Sequence, residues 1–131
     1  MAAANPLTKA VKRRDFTALE DAIRSGADLN GVDSMGWTPL FHAAGKGWTN
    51  GLRALIQAGA EVNHGIETGF TALYSAVMSG HIGAVQILLD AGAQVQDMQG
   101  TTVARHAQGK NRLQVIGLLE RATHGEFPDK Q

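Results

Sequence analysis

The pair Gly-Ala occurs at Gly26-Ala27, Gly59-Ala60 and Gly92-Ala93, and both intervals are 33 residues. A fixed period of this length constrains a chain more than composition does. Each unit is one supersecondary element that buries its apolar face only by stacking on its neighbours. Further markers keep the same register. Leu29, Val62 and Val95 follow the three pairs, Asn30 and Asn63 come next in the first two, and Gln96 takes that place in the third. Gly36-Trp37-Thr38-Pro39-Leu40 matches Gly69-Phe70-Thr71-Ala72-Leu73, and Gly47 matches Gly80.

Within each unit the apolar spacing is helical. Ile82, Val85, Leu88 and Leu89 fall on one helix face, as do Leu52, Leu55 and Ile56 one period earlier, and Leu19, Ala22 and Ile23 before them. Shorter helical stretches precede these, from Pro39 to Lys46 and from Ala72 to Ser79. Proline at the first helical position gives up only an amide that has no intrahelical partner. Thr38 and Thr71 stand where a hydroxyl caps the first turn. Gly59 and Gly92 stand where a left-handed residue closes a helix. Each unit therefore reads as turn, helix, short loop, helix, turn.

A 33-residue unit carrying Gly-x-Thr-Pro-Leu, Ala-Ala, Leu-Leu and Gly-Ala-x-Val-Asn resembles the ankyrin repeat, over about residues 5–122. The resemblance implies an all-α solenoid of stacked helix–turn–helix units with projecting β-turn loops. Residues 1–122 form one domain in this reading, with units at about 5–31, 32–65, 66–96 and 97–122, and 123–131 as a flexible tail. The first and last units act as caps. The fourth is degenerate: Gly92 to Gly100 spans two residues fewer than Gly59 to Gly69, and Val103-Ala104 replaces Pro-Leu. The family's histidine after Thr-Pro-Leu is missing, its place being held by Thr8, Phe41, Tyr74 and Arg105, while His42 comes one residue later.

Composition narrows the chemistry. The chain has 131 residues and no cysteine, which excludes disulfide scaffolds, thiol catalysis and cysteine-held metals. Twelve basic residues balance twelve acidic ones, so bulk charge gives no reason to expect nucleic-acid binding. No apolar run approaches membrane-spanning length. A cytoplasmic monomer without cofactor or metal is expected. The five histidines lack zinc spacing, and Gly45-Lys46 lacks the upstream glycine of a phosphate loop. No catalytic constellation is legible, so the expectation is not an enzyme.

What the resemblance implies instead is a binding face built from turn tips and first helices, engaging another protein. Carried over by alignment, the tips hold Ser34, Met35 and Trp37, then Glu67, Thr68 and Phe70, then Met98, Gln99 and Thr101. First-helix places include Lys9, Lys12, Arg13, His42, Lys46, Ser75, Met78, Ser79, His106 and Lys110. The candidate contacts are Met35, Trp37, His42, Lys46, Glu67, Phe70, Met78, Met98, Lys9, Lys12 and Arg13. Aromatic residues dominate interface hot spots and methionine adapts to its partner. Packing of Trp37 and Phe70 on each other along the turns is the competing expectation, and Trp48 is expected to be structural. Gly45 and Gly109 share a register position on the binding face, where a missing side chain would admit a partner. A stoichiometric inhibitor or immunity-type protein, blocking an enzyme or toxin, is the alternative role.

Overall fold

A computed structural model of the chain describes residues 5–96 and 102–123. Local sequence sets where its helices begin. Pro6 opens α1 (Pro6–Arg13), and the Leu7 N–H donates to Asn5 Oδ1 at 2.9 Å. The Ala18 N–H donates to Asp15 Oδ1 at 3.1 Å at the head of α2 (Phe16–Arg24). Thr38 caps α3 (Pro39–Lys46) as its spacing predicts, accepting the Phe41 N–H at 3.1 Å. Thr71 does not repeat this at α5 (Ala72–Ser79). Its backbone is more extended, with φ −103° and ψ 176° against −82° and 162° at Thr38. Its hydroxyl is buried without a hydrogen-bond partner among the described residues.

The remaining helices are α4 (Thr49–Gln57), α6 (Ile82–Asp90) and α7 (Arg112–Thr123). The limits of α3 and α5 coincide with the stretches read from the sequence. Gly59 and Gly92 adopt φ of 107° and 93°, the left-handed conformation expected after α4 and α6.

The helices stack in two layers. The first helices pack in series, α1 on α3 and α3 on α5, followed by a 3-10 turn at Val103–His106. The second helices form a parallel series, α2 on α4, α4 on α6 and α6 on α7. Leucines fill the space between: Leu7, Leu19, Leu40, Leu52, Leu55, Leu73, Leu88 and Leu89 are completely or almost completely buried. Each contributes about 1.5–3 kcal/mol of burial free energy.

The fourth unit departs from expectation. In place of a first helix it has only that 3-10 turn, and Lys110 lies in the loop that follows. The segment buries two apolar anchors, Val103 and Ala107, where α5 buries Ala72, Leu73, Ala76 and Val77. Too little apolar surface is buried there to hold a second turn, and Ala107 leaves helical geometry at ψ 132°. At the other end α7 continues through Thr123, whose hydroxyl donates to the Leu119 carbonyl at 2.8 Å. The rest of the expected tail lies outside the described residues. Among the described residues no helix is long and apolar enough to cross a membrane.

Candidate interaction surface

Two hairpin-like turns carry the aromatic candidates. In the first, the Asp33 N–H donates to the Trp37 carbonyl at 3.0 Å, and the Gly36 N–H to the Asp33 carbonyl at 2.9 Å. The second repeats this pattern, with Ile66 donating to Phe70 at 2.8 Å and Gly69 to Ile66 at 2.7 Å.

Asp33 organises the first turn. Its Oδ1 accepts the Met35 and Trp37 N–H groups at 2.9 and 3.0 Å, and its Oδ2 lies 2.6 Å from His42 Nε2. Burial pushes the Asp33 carboxyl up. The hydrogen bonds from His42, Trp37 and Met35 and the His42 charge outweigh that, leaving it below its ordinary value of 3.8. An ionised carboxylate only accepts, so the proton between the two side chains sits on His42 Nε2.

The imidazole is therefore a support beneath the turn. His42 is only 8% exposed, with the Trp37 ring over it at 5.1 Å. This differs from the expectation that His42 faces outward as a partner contact. Its side chain turns back toward the Asp33 carboxylate, whose Oδ2 has no other partner among the described residues in this half-buried place.

Trp37 is half-buried, packed on Phe41 at 5.0 Å as well as on His42. Phe70 is half-buried too, stacked on Tyr74 with centroids 3.7 Å apart and set edge-on to His106 at 5.9 Å. Each ring thus leans on the first helix of its own unit or on the next unit, and not on the other ring, contrary to the competing expectation. Met35 is 61% exposed on the first turn, and Glu67 is exposed on the second. Lys9, Lys12 and Arg13 are exposed on α1, while Lys46 and Met78 are half-buried near the ends of α3 and α5. Met98 lies outside the described residues.

Gly45 does not open the face to a partner. A Cβ there would lie 2.7 Å from Ser75 Oγ, and that hydroxyl donates to the Phe41 carbonyl at 3.0 Å. The missing side chain lets α3 and α5 approach each other. Gly109 is different again, a left-handed residue at φ 84° with open space around it. Trp48 is structural as expected. It meets Phe16 edge-on at 6.3 Å, and a Cβ at Gly51 would overlap its ring.

Several contacts join one unit to the next through main-chain atoms. Asn30 Oδ1 accepts the Glu61 N–H at 3.0 Å, and Asn63 Oδ1 accepts the Gln94 N–H at 2.8 Å. Arg14 donates to the Lys46 carbonyl at 2.7 Å, His81 Nε2 to Gly45 at 3.1 Å, and Asn111 to Gly80 at 2.9 Å. The recurrence of Asn30 and Asn63 was the available signal for the first two. Arg14 carried none, because it stands where Gly47 and Gly80 stand, and it takes φ 52° there.

Beside the end of α5 and the Gln108–Asn111 loop is an open cleft of about 510 Å³, lined by Met78, His81 and Lys110 among others. A stack of four complete units with filled interfaces leaves no obvious place for a pocket. The shortened fourth unit creates one by replacing a packed helix with a loop.

Paired helices stacked in one dimension, with turns projecting from one edge, define a repeat solenoid. The chain belongs to the ankyrin repeat family: the model described as ankyrin repeats (3 copies) matches residues 7–119. A comparison with curated proteins finds no match. Ankyrin repeats are generally protein–protein interaction modules.

Proposed function

We propose that the chain binds a partner protein through its turn tips and first helices, with Met35, Trp37, Phe70 and Met78 at the centre of the contact. The observation that carries this reading is the first turn. It presents an exposed methionine two residues from an indole that packs on His42 and Phe41, on a main chain that Asp33 holds by its N–H groups. Rings held in place before binding lose little conformational freedom on contact, which favours affinity. Lys9, Lys12, Arg13, Lys46 and Glu67 belong to the same proposed surface, and His42 supports its first turn through Asp33.

The test begins with affinity purification and mass spectrometry to identify a partner, followed by titration with variants. Met35→Glu and Phe70→Ala are expected to weaken binding at least about ten-fold, the loss of one hot-spot contact. Arg53→Ala on α4 should have no effect. If both site variants remain folded and bind as the parent does, the surface is elsewhere.

A further inference from the structure

The chain has no net charge, yet its two layers are unlike in charge. The first-helix elements α1, α3, α5 and the 3-10 turn carry Lys9, Lys12, Arg13, Lys46 and Arg105, and no Asp or Glu. The second helices are mixed, with Arg24, Arg53, Arg112 and Arg121 beside Glu20, Asp21, Asp90 and Glu120. Arg14 and Lys110 lie just beyond first-layer elements and extend the cationic side.

Three of these charges fall in one row, interrupted by a serine in the third unit. Arg13, Lys46, Ser79 and Lys110 occupy one register position in successive units, allowing for the two-residue deletion in the fourth. Side-chain bonds show that the neighbours along this row are adjacent. Arg14 reaches the Lys46 carbonyl at 2.7 Å, His81 the Gly45 carbonyl at 3.1 Å, and Asn111 the Gly80 carbonyl at 2.9 Å. The one carboxylate in the loops along this edge, among the described residues, is Asp15, which already caps α2. The row ends at the open cleft containing Ser79 and Lys110.

Cations at helix C-termini also complement the helix dipole. That effect acts on both layers alike. Yet α4 ends in Gln57 and α6 in Asp90, and the Arg24 at the end of α2 is paired with Asp21 at 2.8 Å. Among the described residues Lys9, Lys12, Arg13, Lys46 and Lys110 have no ion pair.

Resting on the protein-binding reading above, we propose that the partner's contacting segment is acidic and lies along this row, from α1 to the cleft at Lys110. Helix spacing of about 10 Å makes the row about 30 Å long, the reach of about nine extended residues. Nucleic acid is the less favoured polyanion: the zero net charge gives no long-range attraction for a duplex, and the mixed second layer would repel part of it.

The probe is a fluorescein-labelled oligo-glutamate peptide, titrated with the full chain and read by anisotropy. Binding should weaken on the order of ten-fold as salt rises from well below to physiological ionic strength. The triple reversal Arg13→Glu, Lys46→Glu and Lys110→Glu should abolish it. The matched reversal Arg24→Glu, Arg53→Glu and Arg112→Glu makes the same change in net charge and should leave it detectable. Should the reversal variant fail to fold by circular dichroism, the Gln triple and the salt dependence of the unaltered chain decide the question. Equal loss from both reversals, or no binding by the unaltered chain, overturns the proposal. A labelled oligonucleotide that binds more tightly than the peptide at the same salt also overturns it. A purified partner that is insensitive to the row reversal but lost on Met35→Glu would sink the acidic-segment proposal alone, leaving the turn-tip surface standing.

Discussion

Replacing Asp33 with alanine tests whether the pairing of its half-buried carboxylate with the buried His42 imidazole holds the first turn tip. The substitution leaves His42 Nε2, in a side chain only 8% exposed, without its acceptor at 2.6 Å. A buried donor stripped of its partner costs about 1–3 kcal/mol. The Met35 and Trp37 N–H groups lose their acceptor too, but the first lies at an exposed position and can turn to water. Together these give a loss of about 3 kcal/mol, or about 12 °C in Tm for a chain of this size. Asp33→Asn separates the parts. Its amide oxygen keeps both N–H bonds, and only the imidazole contact must reorganise, for about 1 kcal/mol. Urea unfolding followed by circular dichroism gives the magnitudes, and amide exchange at Met35 and Trp37 shows whether the turn itself has loosened. A loss under about 1 kcal/mol for the alanine variant, or equal losses for both, would mean that the pair does not hold the turn. The pH dependence has a definite sign. A folded pKa below 3.8 means that Asp33 contributes stability above that value, lost as pH falls through the folded pKa. Asp33→Asn should flatten that part of the acid limb.

Other substitutions probe the stack. Gly45→Ala gains up to about 1 kcal/mol of helix propensity but turns Ser75 away from the Phe41 carbonyl. A net loss of about 1–2 kcal/mol is expected, and in a Ser75→Ala background the sign should reverse, both read from urea midpoints. Gly117→Ala on α7 meets open space and should stabilise by up to about 1 kcal/mol; thermal unfolding showing a lower Tm would contradict this. Asn63→Ala removes bonds to the Gln94 N–H and the Gly92 carbonyl, and should cost about 1–2 kcal/mol. Faster amide exchange at Gln94 is the local sign of that loss.

The parts of the fold that repeat were legible in the sequence. The repeated Thr-Pro-Leu-like and glycine markers bracketed α3 and α5, and recurring glycines marked the left-handed residues after α4 and α6. The fourth unit was misread where its markers fail. A helix was expected from register alone, although the segment has few apolar residues to anchor one. Tertiary contacts between dissimilar residues were not legible either. Asp33 and His42 are nine residues apart, separated by a turn and the start of a helix, and no periodic pattern links them. Gly45 looked like an opening because its occupant, Ser75, belongs to the next unit. Only the stacking distance decides whether that space is free.

The asparagine, arginine and histidine clasps between units end on main-chain oxygens and N–H groups rather than on neighbouring side chains. A peptide group offers the same atoms whatever residue bears it, except that proline lacks the N–H. Each joint is therefore indifferent to the identity of the residue it grips, provided the backbone keeps its course. Glu61, Gln94 and Lys46 can change type without breaking the clasp that holds them. This leaves surface positions of the stack free to be rewritten for a new partner while the joints beneath them stay closed.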